Sequence, residues 1–383
     1  MRARVLFVTT GLHTGGAEKQ LFLLLSHLHK EEIEAGVVSL LSPGSMSSRI
    51  SALGIPVWHL GMESPLRLPQ AVWRLARITH RFRPGVIQGW MYHGNLAAML
   101  AKTLSSRRAR MIWGIRQSLY DLKREKVVTR GVIRMGAHLS KHADTLVFNS
   151  QTARVQHESF GFGSNNSLVI DNGFDTELFR PDEDARSRVR KELGLRPDAK
   201  LIGKIARYHP MKGHQVFLKA AMDLAERIPD VHFVLVGRGV DADNQVFAPW
   251  LRRPMLADRL HLLGERTDIP RLTAALDIAS SSSWGEAFPN TIGEAMSCAV
   301  PCVATDVGDV KRIVGKAGVV VPAGDEKALA VAWESLLLND EERHSMGKAA
   351  RSRVMDKFSL DRAARRYGEL YTNSEQVTFG EQK

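Results

Sequence analysis

Two hydrophobic periods alternate along the chain. Short apolar runs recur at Val5-Leu6-Phe7-Val8-Thr9, Val37-Val38-Ser39-Leu40, Val57-Trp58-His59-Leu60, Val86-Ile87-Gln88, Ile112 to Ile115 and Thr145 to Ser150. Each is too short for a helix and reads as a strand buried on both faces, the Thr145 run closing the first sheet. Between them apolar residues return at helical spacing, as at Leu21, Leu24, Leu25 and Leu28 and again from Ala71 to Arg81. A second series follows with strands at Leu201 to Ala206, Phe233 to Val236, His261 to Leu263, Leu276 to Ala279 and Cys302 to Ala304. Strand and helix in alternation predict α/β, doubly wound parallel sheets, with ligands beyond the carboxyl ends of the strands. The polar, Pro-broken segment Phe179-Arg180-Pro181-Asp182-Glu183-Asp184 divides the two series. Domains are therefore expected at 1–178 and 179–357. A length of 383 residues suits two domains.

Charge changes the picture in one half only. Residues 1–175 hold 22 Lys and Arg against 11 Asp and Glu, so +11 of the net +12 falls there. Such a half expects an anionic partner. Nucleic acid is one candidate, but no recognised nucleic-acid motif is present, so no nucleic-acid partner is expected and an anionic membrane surface or a lipid diphosphate fits better. The basic, helix-compatible stretch Lys123 to Lys141 reads as a cleft-edge helix with a solvated face, with membrane contact as the alternative. Cys298 and Cys302, the two cysteines, sit in apolar surroundings without zinc-type spacing and read as buried hydrophobes. No signal peptide or spanning segment is legible. The expected location is cytoplasmic, peripheral on the inner face of the plasma membrane.

Candidate chemistry gathers at Ser280 to Thr305. An apolar strand ends there, a polar turn passes through Gly285, and a helix runs from about Pro289 to Met296 before Pro301 stops it. Pro289 fits the first helical turn. Glu286 precedes the helix and Glu294 lies within it. The helix N-terminus between them is an anion site. A diphosphate there puts a sugar near Glu286 and a ribose near Glu294. Upstream, Gly15-Gly16-Ala17-Glu18 makes a strand-to-helix turn without the G-x-G-x-x-G pattern, which disfavours a dinucleotide site. His93 and Arg116 stand at two further strand ends. His93 is a candidate for acceptor activation or sugar binding, or a packing histidine at a helix start. Arg116 is a fork aimed at the ligand side, or surface charge.

Glu286-x7-Glu294, with Phe288-Pro289-Asn290 and Glu294-Ala295-Met296, resembles the signature of retaining, nucleotide-sugar-dependent glycosyltransferases of GT-B fold. Members of this type make bacterial polysaccharide and lipopolysaccharide. The resemblance covers nearly the whole chain and is more specific in the second half. It implies two Rossmann-like domains facing a central cleft, with a helix from about Phe358 crossing back onto the first domain (358–383). Arg207 and Lys212-Gly213 resemble the family's G-R-x…K-G loop, with Ala206 where glycine is commoner. They would neutralise the leaving diphosphate in place of a metal. Asn172-Gly173-Phe174-Asp175 resembles the segment before the linker. Gly15 and Gly16 resemble the loop that meets acceptor and donor phosphate. Backbone near Glu265 and Arg266 would hold the base.

The resemblance thus assigns Glu286, Arg207 and Lys212 to catalysis, and His93 joins them on its place at a strand end. Gly16, Glu265, Arg266, Phe288, Pro289, Asn290 and Glu294 go to the donor and Gly15 to the acceptor, and Arg116 is added to the acceptor side from its strand-end position. No metal or cofactor is expected. The D-x-D-like Asp241-Ala242-Asp243 and Asp182-Glu183-Asp184 sit after a glycine turn and in the linker. The implied reaction moves a sugar, from a UDP-sugar, to a saccharide or lipid-linked acceptor with retained configuration. A nucleotide-sugar epimerase and a non-catalytic anionic-ligand-binding protein are the alternatives.

Overall fold

In the computed structural model, described for residues 2–105, 108–120, 122 and 126–373, the chain forms two units. The first comprises the residues up to Gly173 and those from Leu360 onward; the second runs from Phe174 to Ser359. The crossing from one to the other falls at Gly173, ahead of the polar 179–184 segment. The reason is packing: Phe174 and Phe179 are each 2% exposed and belong to the second core.

The first unit begins with β1 (Ala3–Thr9), α1 (Gly16–His27), β2 (Ile33–Ser39), α2 (Ser45–Ala52) and β3 (Val57–His59). It continues with α3 (Leu68–Phe82), β4 (Val86–Trp90), α4 (Met91–Thr103), β5 (Arg110–Ile115) and α5 (Val127–Leu139). It ends with β6 (Thr145–Phe148), α6 (Gln151–Phe160) and β7 (Ser167–Val169). The strands make one parallel sheet in the order β3-β2-β1-β4-β5-β6-β7. The sheet thus closes on β7 rather than on β6, because Leu168 lies beside Val147 in register. Lys123 and residues 374–383 lie outside the described residues.

The second unit contains α7 (Glu183–Glu192), β8 (Lys200–Ile205), α8 (His214–Arg227), β9 (Val231–Val236), α9 (Ala248–Leu251) and β10 (Leu260–Leu262). Then come α10 (Ile269–Ala274), β11 (Ile278–Ser281), α11 (Asn290–Ser297), β12 (Cys302–Thr305) and α12 (Val310–Val314). β13 (Gly318–Val321), α13 (Glu326–Leu338) and α14 (Asp340–Lys357) complete it. Its parallel order is β10-β9-β8-β11-β12-β13. β11 starts two residues later than its apolar run suggests. Asp277 is instead spent in a buried ion pair with Arg190 at 2.7 Å and accepts the Leu201 N–H. Cys298 and Cys302 are buried, and burial pushes the Cys298 thiol up to about 12.

The last helix, α15 (Leu360–Thr372), belongs to the first unit. Its Tyr367, Leu370 and Tyr371 join the core of β1 and α1. Tyr371 meets Phe7 edge-on at 5.9 Å. Arg110 of β5 caps the helix end by donating to the Leu370 and Asn373 carbonyls.

Candidate active site

Strand order decides where each unit can hold a ligand. In the first sheet β1 and β4 are neighbours whose chains depart in opposite directions; in the second the same holds for β8 and β11. A crevice opens at such a switch point, beyond the carboxyl ends of the strands. The segments leaving these four strands carry Gly15 and Gly16, His93, Arg207 and Lys212, and Glu286.

In the second unit the chain after β8 turns through Pro210–Lys212 into α8. Gly213 makes the turn with φ 62°, and a Cβ there would stand 1.8 Å from the Ser282 carbonyl oxygen. Only glycine lets this loop lie on the end of β11. Ser282 Oγ donates to the Gly213 carbonyl at 2.8 Å, and Trp284 N–H donates to the Met211 carbonyl at 2.8 Å. The docking delivers Lys212 Nζ to Glu286 Oε1 at 2.5 Å. Ser283 Oγ donates to the same oxygen at 2.8 Å. Glu286 is held from behind as well. Gly308, at φ 56°, brings its Cα against the Glu286 carbonyl, where a Cβ would stand at 2.1 Å. Thr305 Oγ1 donates to the Ser283 carbonyl at 2.7 Å.

Glu294 lies in the middle of α11 and is 7% exposed. Pro289 precedes the helix as its cap residue, one position outside the expected first turn, and Asn290 opens it. The Phe288 ring is buried. It stacks on Phe174 at 5.9 Å and meets Phe358 edge-on at 5.8 Å, so its part is to anchor the loop.

Arg207 is exposed just past β8. Glu265 is exposed after β10, whereas the Arg266 guanidinium is occupied by Glu192 at 3.0 Å and Asp268 at 2.9 Å. Arg271 joins the same two carboxylates. Those pairs raise the Arg266 pKa and leave the backbone of this loop, not the side chain, for a ligand. Gly237 N–H donates to the Gly264 carbonyl at 2.8 Å, joining the ends of β9 and β10.

Sequence reading missed Ser283, Thr305 and Lys204. Lys204 is 2% exposed on β8, in the electrostatic field of Lys212 and Glu286. Burial lowers its pKa from 10.5 to about 7. A lone lysine within an apolar strand run was the available signal.

In the first unit Gly15 caps α1 and Gly16 starts it. The turn is fixed by Trp90, whose Nε1–H donates to the Ala17 carbonyl at 3.0 Å. His93 lies in the first turn of α4, after Met91 at φ 68°. Burial lowers its pKa, which favours the neutral, proton-accepting imidazole. Tyr92 beside it bonds His157 Nε2 at 2.6 Å and holds that helix start. Arg116 differs from the expected ligand-facing fork. It donates to Asn172 Oδ1 at 2.9 Å and Tyr367 Oη at 2.6 Å, and its Cζ lies 3.9 Å from the Trp90 ring centroid. Its position is that of a strut between the β4 end and α15. Among the described residues no group of three or more metal-ligating side chains comes together.

Two family models match the chain. One, described as Glycosyltransferase Family 4, spans residues 14–178; the other, described as Glycosyl transferases group 1, spans residues 199–339. The lipopolysaccharide core biosynthesis mannosyltransferase LpsB of Rhizobium meliloti is 32% identical over 54% of this chain and 60% of its own. The D-inositol 3-phosphate glycosyltransferase of Corynebacterium jeikeium is 31% identical over 60% of this chain and 57% of its own. The chain thus spans about three-fifths of the length of these curated relatives. Among solved structures, Anabaena HepE in complex with UDP and glucose is 22% identical with a TM-score of 0.83, covering 96% of this chain and 99% of that one.

Proposed function

Because the chain belongs to the group 1 and family 4 glycosyltransferases of GT-B fold, we propose that it moves a sugar from a nucleotide diphosphate donor to a saccharide or lipid-linked acceptor, with retained configuration. The observation that carries the reading is the Lys212–Glu286–Ser283 cluster, built by two loops at the β8/β11 switch point. In this reading the α11 terminus, Arg207 and Lys212 receive the diphosphate, and Glu294 accepts from the ribose hydroxyls. The bond from the anomeric carbon to the β-phosphate oxygen breaks, and its electron pair stays on the phosphate. The acceptor oxygen bonds to the same face of that carbon, and its proton passes to the departing phosphate oxygen. Cationic donors stabilise charge where it develops. Glu286 orients the sugar hydroxyls; two donors already on Oε1 support an orienting role over attack. His93, in the other unit, serves the acceptor.

The donor class is a UDP-sugar, as in the HepE complexes, with GDP-mannose a named donor of a mycobacterial relative. The setting is cell-surface polysaccharide or lipopolysaccharide synthesis at the inner face of an anionic membrane. No helix among the described residues is long and apolar enough to cross a membrane. The test incubates purified protein with UDP-glucose, UDP-N-acetylglucosamine or GDP-mannose, with and without extracted membranes. Acceptor-dependent nucleotide release and a glycosylated product, undiminished in EDTA, are expected. Release with an epimerised sugar and no acceptor would overturn transfer, and loss of activity in EDTA would overturn metal independence.

A further inference from the structure

Right-handed crossovers decide which helices share a face of the first sheet. α3, α4 and α5 lead from β3 to β4, β4 to β5 and β5 to β6, all moving toward the β7 edge. They therefore cover one face, while α1 and α2, moving the other way, cover the opposite one. Contacts of α3 with α4 and of α4 with α5 agree.

The outside of this layer is unusual in two independent ways. No Asp or Glu occurs from Ser64 to Tyr120, 57 residues that carry ten Lys and Arg, and none occurs in α5. Fifteen large apolar side chains stand exposed among the described residues, and seven of them lie on these three helices or the turn before α3. Leu66 is 91% exposed, Trp73 60%, Val127 72% and Val128 73%. The core does not need them: α3 buries Ala71, Leu75, Thr79 and Phe82, and turns Trp73, Arg77 and Arg81 outward. The Arg77 guanidinium lies 5.5 Å from the Trp73 ring centroid.

We propose that the outer face of α3, α4 and α5 is the surface on which this protein rests on an anionic lipid bilayer. Leu66, Trp73, Val127 and Val128 enter the boundary between headgroups and acyl chains, and Arg77 and Arg81 meet lipid phosphates. Aliphatic and tryptophan side chains interleaved with arginine are the composition of an interfacial surface. A nucleic-acid surface would use the cations without the exposed aliphatics. The inference deepens the membrane reading above and rests on it.

Flotation of the full chain with phosphatidylcholine vesicles, with and without phosphatidylglycerol, tests it. Wild-type protein should float with the anionic vesicles at low salt. Each basic residue near the surface contributes about fivefold in affinity, so Arg77→Glu with Arg81→Glu should weaken binding at least about 25-fold. Leu66→Ser with Trp73→Ser should weaken it comparably. Lys316→Glu with Lys327→Glu, the same charge change in the other unit, should leave it within about twofold. Wild-type binding by both layer variants, equal flotation with neutral and anionic vesicles, or binding to duplex RNA but to no vesicle would each overturn the face. Transfer to a soluble acceptor, measured on the same samples, separates the two readings. Flotation without turnover counts against the transferase reading, and turnover without flotation counts against the face and the membrane setting while sugar transfer stands.

Discussion

At Glu286 one carboxylate oxygen takes both the Lys212 and the Ser283 contacts. Glu286→Gln keeps the shape of the side chain and removes the charge opposite Lys212. It should lower kcat by on the order of 10²–10³, the effect of losing one preorganised electrostatic contact, while nucleotide affinity holds in calorimetry. Glu294→Gln should raise KM more than it lowers kcat, because ribose contacts are made equally in ground and transition states. If Glu294→Gln proved the more damaging to kcat, the division of labour would be wrong. Arg207→Ala and Lys212→Ala should weaken nucleotide diphosphate binding by about 2–5 kcal/mol. Lys204 carries a separate prediction. Its pKa is about 7 when folded and 10.5 ordinarily, so the unfolded chain binds the extra proton between those values and stability rises with pH across that window. Below about pH 7 the penalty of the buried charge is fully present. Lys204→Met should therefore raise Tm more at pH 6 than at pH 10. Equal shifts at both pH values would contradict the burial argument.

Loops and helices do the positioning. The Lys212 loop reaches Glu286 because Gly213 accepts a positive φ directly against Ser282. Gly213→Ala should cost at least about 1–3 kcal/mol of local strain and lift Lys212 from its partner. The expected result is lost turnover with a folded first unit, checked by circular dichroism and nucleotide release. α15 has a comparable role in the first unit. Its Tyr367, 2% exposed, receives the Arg116 hydrogen bond and packs beside Trp90, which in turn holds the Ala17 carbonyl. Tyr367→Ala should destabilise that unit by about 3–5 kcal/mol, as for other buried aromatics. Tyr367→Phe should retain most of the packing and lose chiefly the bond to Arg116. Chemical denaturation of the two variants distinguishes these contributions.

At the scale of the whole molecule, buried and half-buried histidines set the acid limit. Burial lowers the pKa of His157 to about 4, of His214 to about 3 and of His261 to about 4, from 6.5. Between those values and 6.5 the unfolded chain binds more protons, so stability falls as pH falls through the window. Thermal melts should lose Tm steadily from about pH 6.5 toward pH 4. His157→Phe should flatten part of that slope, since the ring already sits among Phe148, Phe162 and Tyr92. An unchanged slope in that variant would remove His157 from the explanation.

By itself the sequence determined the α/β class and most of the two strand series, without β7 and β13, and it put Glu286 before and Glu294 within one helix. Periodicity is local, and a motif such as strand, polar turn, Pro and helix is written in consecutive residues. It also carried the exposed basic layer as a run without carboxylates, although not its grouping into one face. Only tertiary structure decided what meets what. Lys212 and Glu286 are 74 residues apart in sequence, and their contact exists because β8 and β11 are neighbours in the sheet. The Phe288 ring packs against Phe174, and Arg116 bonds Tyr367 on a helix that begins 244 residues later. Residue type states which bonds a side chain can make. Which of them it makes depends on long-range packing, which no local pattern records.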